Sequence, residues 1–379
     1  MEKRLDFKIE LPQDVRYIHQ ALSAYNYDSY LIGGAVRDAY LNTKPKDYDI
    51  VTNATPDKVI EILKTCFFVT NILETGKVFG VVNIITPDGE YEVATMRKES
   101  EYTDQRRPDK VEFTNIQTDI LRRDLSYNAL YYDIDKEQII DLVGGINDLN
   151  NGTTRTVGNA VDRFNEDPLR KLRCLRFAAR FNSKLDKDII DALSVDNSLT
   201  GVSPERIRDE FLKGVKTAKS VRYFLNLLND YDMLKWIFKG LTIRRFHFIE
   251  ERNPIVLIAY LLNGNLIEDI EPSLVSGKYT ADEINGVKFL FKLYWFSYSD
   301  DCIYKMVKQR ILCKLTDDEI RLFLCNLHNG DSIFLDKFLS FKLTVTGADV
   351  EKLGIKPGPE MGKKIEELES INFEKHLYE

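Results

Sequence analysis

A chain of 379 residues, 44% hydrophobic and 30% charged, carries enough apolar material for two to four domains with their own cores, which excludes a disordered chain. Its formal net charge of −7 excludes a uniformly basic coat, so any nucleic-acid contact must come from local Lys and Arg clusters. The five cysteines, Cys66, Cys174, Cys302, Cys313 and Cys325, form no CxxC pair and read as reduced thiols. No run approaches the length of a membrane span, and MEKRLDFKIELPQDV lacks a signal-peptide core, so a soluble cytoplasmic protein is expected.

Residues 13–27 show helical spacing, with Val15, Ile18, Leu22 and Tyr25 on one face, and lead into a short apolar strand, Ser29 to Ile32. Gly33-Gly34 then separates that strand from a helix. Such a pair lets backbone approach a ligand closely and aims helix N–H groups at phosphate, with Arg37 one turn in; it is also an ordinary tight turn. Next comes Asp47-Tyr48-Asp49-Ile50, where period two sets both carboxylates on one face of a strand. Two carboxylates held that close repel, and a divalent metal with a preference for oxygen is a natural occupant, although a solvated edge strand tolerates the same pattern.

A helix is expected over Pro56 to Lys64, then a hairpin from Lys77 to Ile85 and Glu90 to Thr95 around Pro87-Asp88-Gly89. Glu90 and Glu92 share a face, and Glu92 is the chosen third carboxylate for the Asp47/Asp49 pair. Met96 to Phe113 is polar, basic and without clean period, so it reads as a mobile loop able to fold over a nucleotide or RNA end; it includes Arg97, Lys98, Arg106, Arg107 and Lys110. Arg122-Arg123-Asp124 opens an expected helix, Asp124 to Leu130, in which Asp124 and Asn128 lie one turn apart and can bond ribose hydroxyls while Arg123 meets phosphate. An N-cap Asp beside a surface basic pair is the plainer alternative.

A Gly144-Gly145 turn places a hinge near 141–152. Beyond it lies EDPLRKLRCLRFAAR, read as one helix. Asp167, Arg170, Arg173 and Arg176 recur at i, i+3 as a polar ridge, Leu169, Leu172, Leu175 and Ala178 make the core-facing row, and Pro168 sits at the start. A basic surface helix with an acidic start has the same pattern. Further helices are expected from Leu185 to Leu193 and from Pro204, with Ser203 as N-cap. From about 217 helical patterns dominate without a chemical motif, and 354–362 forms a Gly/Pro loop before a last helix.

The order GG-x-V-R-D, D-x-D, R-R-D-x-x-x-N, E-D-x-x-R resembles the class II nucleotidyltransferases, the bacterial CCA-adding enzymes and their poly(A) polymerase relatives. LIGGAVRD, DYD, RRDLSYN, DLVGGINDL, EDPLR, SPERIRDEF and TGADVEKLGIKPGPEMG carry the resemblance over nearly the whole chain. It implies an α+β fold: a polymerase-beta-like head (1–145), then an all-helical neck (146–216), body (217–325) and tRNA-binding tail (326–379), elongated and monomeric. It implies Asp47 and Asp49 as ligands of Mg2+, and Gly33, Gly34, Arg37, Arg123, Asp124 and Asn128 as nucleotide contacts. Asp167 and Arg170 become a base-reading pair oriented by Glu166 and lined by Arg173 and Arg176. Leu125-Ser126 stands where the family usually has Phe-Thr.

Two metals serving both ends of an in-line displacement suit that assignment. Cytosine and adenine each present an amine beside an unprotonated ring nitrogen, whereas uracil and guanine present a carbonyl beside an N–H. A carboxylate with a guanidinium therefore accepts CTP and ATP and rejects the other two. The expected activity is addition of C, C and A to tRNA. CC-adding, A-adding or poly(A) synthesis, or a catalytically silent RNA-binding protein, are the alternatives. The long basic loop counts against CC-adding, since family members limited to CC lack much of it. Four histidines without an HDxxxH-like stretch give no sign of a metal phosphohydrolase domain.

Overall fold

The computed structural model describes residues 3–100, 110–244, 250–294, 303–313, 315–326 and 332–378. The chain divides into two compact units, 1–202 and 203–379. The segment expected as a neck, 146–216, runs through that division.

The first unit is built on a mixed sheet of eight strands: β1 (Lys3–Asp6), β2 (Ser29–Ile32), β3 (Asp49–Thr52), β4 (Asn71–Leu73), β5 (Val81–Ile85), β6 (Glu90–Thr95), β9 (Tyr131–Asp133) and β10 (Gln138–Asp141). Their order is β1-β10-β9-β2-β3-β6-β5-β4. Every pairing is antiparallel except β3 with β6, whose register sets Ile50 beside Val93 and Val51 beside Ala94. The pleat sends alternate residues to opposite faces. Ile50 joins a core with Val15, Ile18 and Leu22 of α1 (Gln13–Ala24), Val36 of α2 (Gly34–Tyr40) and Val59 and Ile62 of α3 (Pro56–Leu63). Val51 faces the other way, into a smaller core with Ile32, Met96, Tyr131, and Ile116 of α4 (Ile116–Asp119). Asp49, two residues before Val51, shares this second face.

Several expectations need correction. α1 ends at Ala24, and Tyr25, 60% exposed, is not part of its core face. Lys77–Phe79 is a 3-10 turn rather than strand, with Gly80 at φ +76 redirecting the chain into β5. The loop expected over Met96 to Phe113 is strand at both ends, β7 (Arg97–Ser100) and β8 (Lys110–Phe113), paired antiparallel from Arg97 opposite Phe113. Arg106 and Arg107 lie outside the described residues, as does Cys302; Cys66, Cys174 and Cys313 are free thiols.

No helix runs from Asp124 to Leu130. Leu125 bridges Thr156, the Ser126 and Val157 N–H groups bond to Arg155 and Asp124 carbonyls, and only Ser126–Asn128 makes a 3-10 turn. The expected hinge at 141–152 is a capped corner: the Asp141 carboxylate accepts N–H groups of Val143, Gly144, Gly145 and Ile146 and starts α5 (Gly145–Asn151). A Cβ on Gly145 would lie 2.3 Å from the Ser126 carbonyl oxygen, so this corner requires glycine.

The ridge follows as two helices, α6 (Ala160–Glu166) and α7 (Leu169–Phe181), and α8 (Lys187–Val195) succeeds them. The second unit is helical in its described parts, from α9 (Pro204–Thr217) to the helix Pro359–Tyr378. Ser203 stands at the α9 N-cap without a side-chain capping bond. Among the described residues no helix is long and apolar enough to cross a membrane.

Candidate active site

Asp47, Asp49 and Glu92 lie toward one end of the parallel pair β3/β6, near enough for Glu92 and Asp47 to act on Asp49. The register that pairs Ile50 with Val93 brings Asp49 beside Glu92 one residue earlier, and Asp47 lies two residues before Asp49, with Tyr48 and Ile50 packed into the opposite core. Burial first, then Glu92 and Asp47, push the Asp49 carboxyl up to about 6, against the pull of Arg123. Glu92 is also raised, by loss of solvation, while Arg97, Arg122 and Arg123 pull it down. Glu90 instead accepts a bond from the Asn83 side-chain amide at 2.7 Å. Such an under-compensated set of hard oxygen donors fits a divalent cation. Among the described residues no three His, Cys, Asp or Glu side chains stand close enough to cage a metal ion.

The segment 122–124 supplies positive charge to this corner. Asp119 holds both arginines: its Oδ1 accepts Arg122 Nε at 2.8 Å, and its Oδ2 accepts Arg123 Nε at 3.2 Å and Nη2 at 2.8 Å. Burial works against the Arg123 charge, but Tyr131 and Asp119 more than offset it, and the guanidinium lies 5.4 Å from the Tyr131 ring centre. Asp124 points to α7. Its Oδ2 accepts Arg173 Nε at 2.9 Å and Nη2 at 2.6 Å, and its Oδ1 takes the Leu125 N–H and, at 3.3 Å, the Asn128 amide. Burial would raise this carboxyl, yet Arg173 holds it well below the carboxylate range. The proposed ribose contacts, Asp124 and Asn128, are thus engaged with protein groups.

Gly33 adopts φ +71 between β2 and α2, and its N–H donates to the Leu130 carbonyl at 3.0 Å, so Gly34 opens the helix N-terminus. Arg37 does not stand at an open phosphate site. It is 3% exposed, bonds Asp38 through Nε at 2.8 Å, donates to the Asn128 side-chain oxygen, and lies 5.4 Å and 5.0 Å from the ring centres of Phe177 and Phe181 on α7. Asp38 also binds Arg180 of α7 at 3.0 Å. Arg37 therefore ties the Gly-Gly helix to the ridge.

On the ridge the apolar row is buried: Leu169 5%, Leu172 2%, Leu175 0% and Ala178 0% exposed. The polar row starts one step later than expected. Asp167 is not helical; it caps α6 with φ −149, ψ 102, the extended backbone that a following proline favours. Its Oδ1 accepts the Leu169 N–H at 3.1 Å. Arg170 is gripped by Glu166 at 2.5 Å and reaches the Arg122 carbonyl at 3.0 Å, and Glu166 also pairs with Arg163. Arg176, 7% exposed, stacks 4.1 Å from the Phe177 ring centre. The sequence reading missed Asp119, although its i, i+3 and i, i+4 spacing to Arg122 and Arg123 was a usable signal. It also missed Lys171, 2% exposed and bonded to Asp196 at 2.6 Å and to the Ser198 carbonyl at 2.8 Å, for which no local pattern existed.

A mixed sheet carries Asp49, Glu92 and Arg123 at one corner, with the basic helix α7 latched to that corner through Arg173 and Asp124. Residues 29–155 match the poly A polymerase head domain, and 190–243 match the probable RNA and SrmB-binding site of polymerase A. The two matched segments are thus similar to the head and RNA-binding parts of poly A polymerase-type proteins. It is 42% identical over 194 residues to a CCA-adding enzyme of Enterococcus faecalis, a match covering 51% of this chain and 46% of the relative. Matches to two further CCA-adding enzymes, at 38% and 40% identity, likewise span about half of those relatives' length. Among solved structures, the Bacillus stearothermophilus CCA-adding enzyme in complex with CTP superposes with a TM-score of 0.71 at 24% identity, covering 94% of this chain and 91% of that one. The Thermotoga maritima CCA-adding enzyme complexed with tRNA gives 0.68 at 19%, covering 100% and 98%. At these identities the two structures share the fold.

Proposed function

We propose that this protein is a cytoplasmic tRNA nucleotidyltransferase that adds C, C and A to the tRNA 3′ end from CTP and ATP without a nucleic-acid template, releasing pyrophosphate. The observation that carries this reading is the double latch between ridge and catalytic corner: Arg173 on Asp124 and Arg170 on the Arg122 carbonyl. It ties the polar ridge to the 122–124 segment, which supports a reading of base and phosphates together at this corner. Asp47, Asp49 and Glu92 would hold Mg2+, which when bound supplies Lewis-acid charge to the reacting phosphate. Arg123, backed by Asp119, meets the phosphates, and the Gly34 helix terminus adds backbone donors.

The tRNA 3′ hydroxyl gives up its proton to solvent as its oxygen bonds to the α-phosphorus of the nucleotide, the bridge to the β-phosphate breaks, and pyrophosphate leaves. Asp167 accepts from the exocyclic amine of C or A, and Arg170, aimed by Glu166, donates to the ring nitrogen. U and G present the opposite pattern, so they leave a donor facing a donor and an acceptor facing an acceptor. The test is incubation with tRNA ending at the discriminator base and each nucleoside triphosphate, followed by sequencing of the products. Growth by C, C and A is expected. Products ending at CC, A-only addition or long A runs would assign one of the partial or untemplated activities, and no growth would leave an RNA-binding protein.

A further inference from the structure

Asp119 is fully buried yet binds four groups that approach from three directions. Besides both arginines, its Oδ2 accepts the Tyr131 hydroxyl of β9 at 2.7 Å, and its Oδ1 accepts the backbone N–H of Arg97 at 3.0 Å. Arg97 is the first residue of β7, so one carboxylate joins the root of the β7/β8 ribbon to the two arginines whose charge reaches Asp49 and Glu92. Asp119 takes the Nε–Nη2 edge of Arg123 and does not use its Nη1. A guanidinium gripped along one edge loses its rotamer freedom before an anion arrives, and less ordering remains to be done on binding.

We infer that Asp119 is the positioning residue for phosphate recognition: it pre-sets Arg123 for the nucleotide's β- and γ-phosphates and seats the β7/β8 ribbon on the same support. The inference rests on the nucleotidyl-transfer reading above. It makes a prediction that general structural damage does not share, because the effect must follow the phosphates and not the base.

The experiment compares equilibrium binding of CTP and CMP to the full chain and to Asp119→Asn, with folding checked by thermal melting. The unaltered protein should prefer CTP. Asp119→Asn should hold CMP as before and lose about tenfold in CTP affinity, the scale of a disrupted charge-assisted contact. KM for CTP and ATP should rise together, with C and A still selected over U and G. In an Arg123→Ala background, adding Asp119→Asn should change the CTP/CMP ratio no further. A folded Asp119→Asn that keeps the original ratio overturns the inference. If Asp119→Asn does not fold, Tyr131→Phe removes one of the bonds to Asp119 and should lower the ratio by a smaller factor; an unchanged ratio there overturns it equally. An unaltered protein that binds CTP no better than CMP would instead bring down the nucleotidyl-transfer reading itself.

Discussion

Burial first, then the like charges of Glu92 and Asp47, raise the Asp49 carboxyl to about 6 against the opposing Arg123. Asp49→Asn removes a charged oxygen donor from the proposed metal site. Single-turnover C addition should therefore fall on the order of a thousandfold, while tRNA binding stays near the original value. Addition surviving at saturating magnesium in both Asp49→Asn and Asp47→Ala would remove these residues from the chemistry. Base choice belongs to a different pair. Asp167→Ala and Arg170→Ala each delete one side of the amine and ring-nitrogen pattern, so the kcat/KM ratio of UTP or GTP to CTP should rise by about one to two orders of magnitude. Asp167→Ala also removes the cap on the Leu169 N–H, so a loss of about 1 kcal/mol in stability should accompany it. If both variants slow addition but keep C and A selection, the ridge is structural and the base is read elsewhere.

The ribbon β7/β8 is the element whose role reaches furthest from its own residues, because its root is bonded to Asp119 and its Arg97 side chain donates to the Phe79 carbonyl. Shortening the chain between Ser100 and Lys110 should leave the two C additions intact and impair the final A, since reading A after C requires the pocket to readjust. Equal losses for C and A, by sequencing of timed products, would make the ribbon a general support. The sequence showed β2 and β3 as short apolar runs buried on both faces and β6 as an alternating strand, and it showed α7 because Leu169, Leu172 and Leu175 repeat on one face. It hid the path of Asp124 to Asn128: the helical spacing there lost to pairing with 155–157 and to the Asp124–Arg173 ion pair, both made by residues far along the chain. Arg37 was misplaced for the same reason, since nothing near it in sequence announces Phe177, Phe181 or Asn128. The break before α7 was legible in principle, because Asp167 precedes a proline.

At the scale of the whole molecule, the buried carboxylates with depressed pKa are concentrated in the first unit. Burial would raise the Asp119 carboxyl, but Arg123 and Arg122 bring it down from 3.8 to about 2, and Arg173 holds Asp124 lower still. A carboxyl whose folded pKa lies below its unfolded value contributes stability that is fully present above the unfolded value. That contribution is lost as pH falls through the folded value. For Asp119 the window runs from 3.8 down to about 2, and the shift corresponds to about 2 kcal/mol. Asp124 extends the loss to more acid pH. Both residues belong to 1–202, whereas both tryptophans, Trp236 and Trp295, belong to 203–379. Acid titration should therefore separate two signals: amide-exchange protection of β9 and β10 should fall first below pH 4, and tryptophan emission should change at lower pH. In a folded Asp119→Asn the β9 and β10 signal should start weaker at neutral pH and depend less on acid, because the group that takes up the proton is gone. Coincident transitions in the unaltered protein, or an unchanged acid profile in the variant, would show that the ion pairs around Asp119 do not set the acid limit.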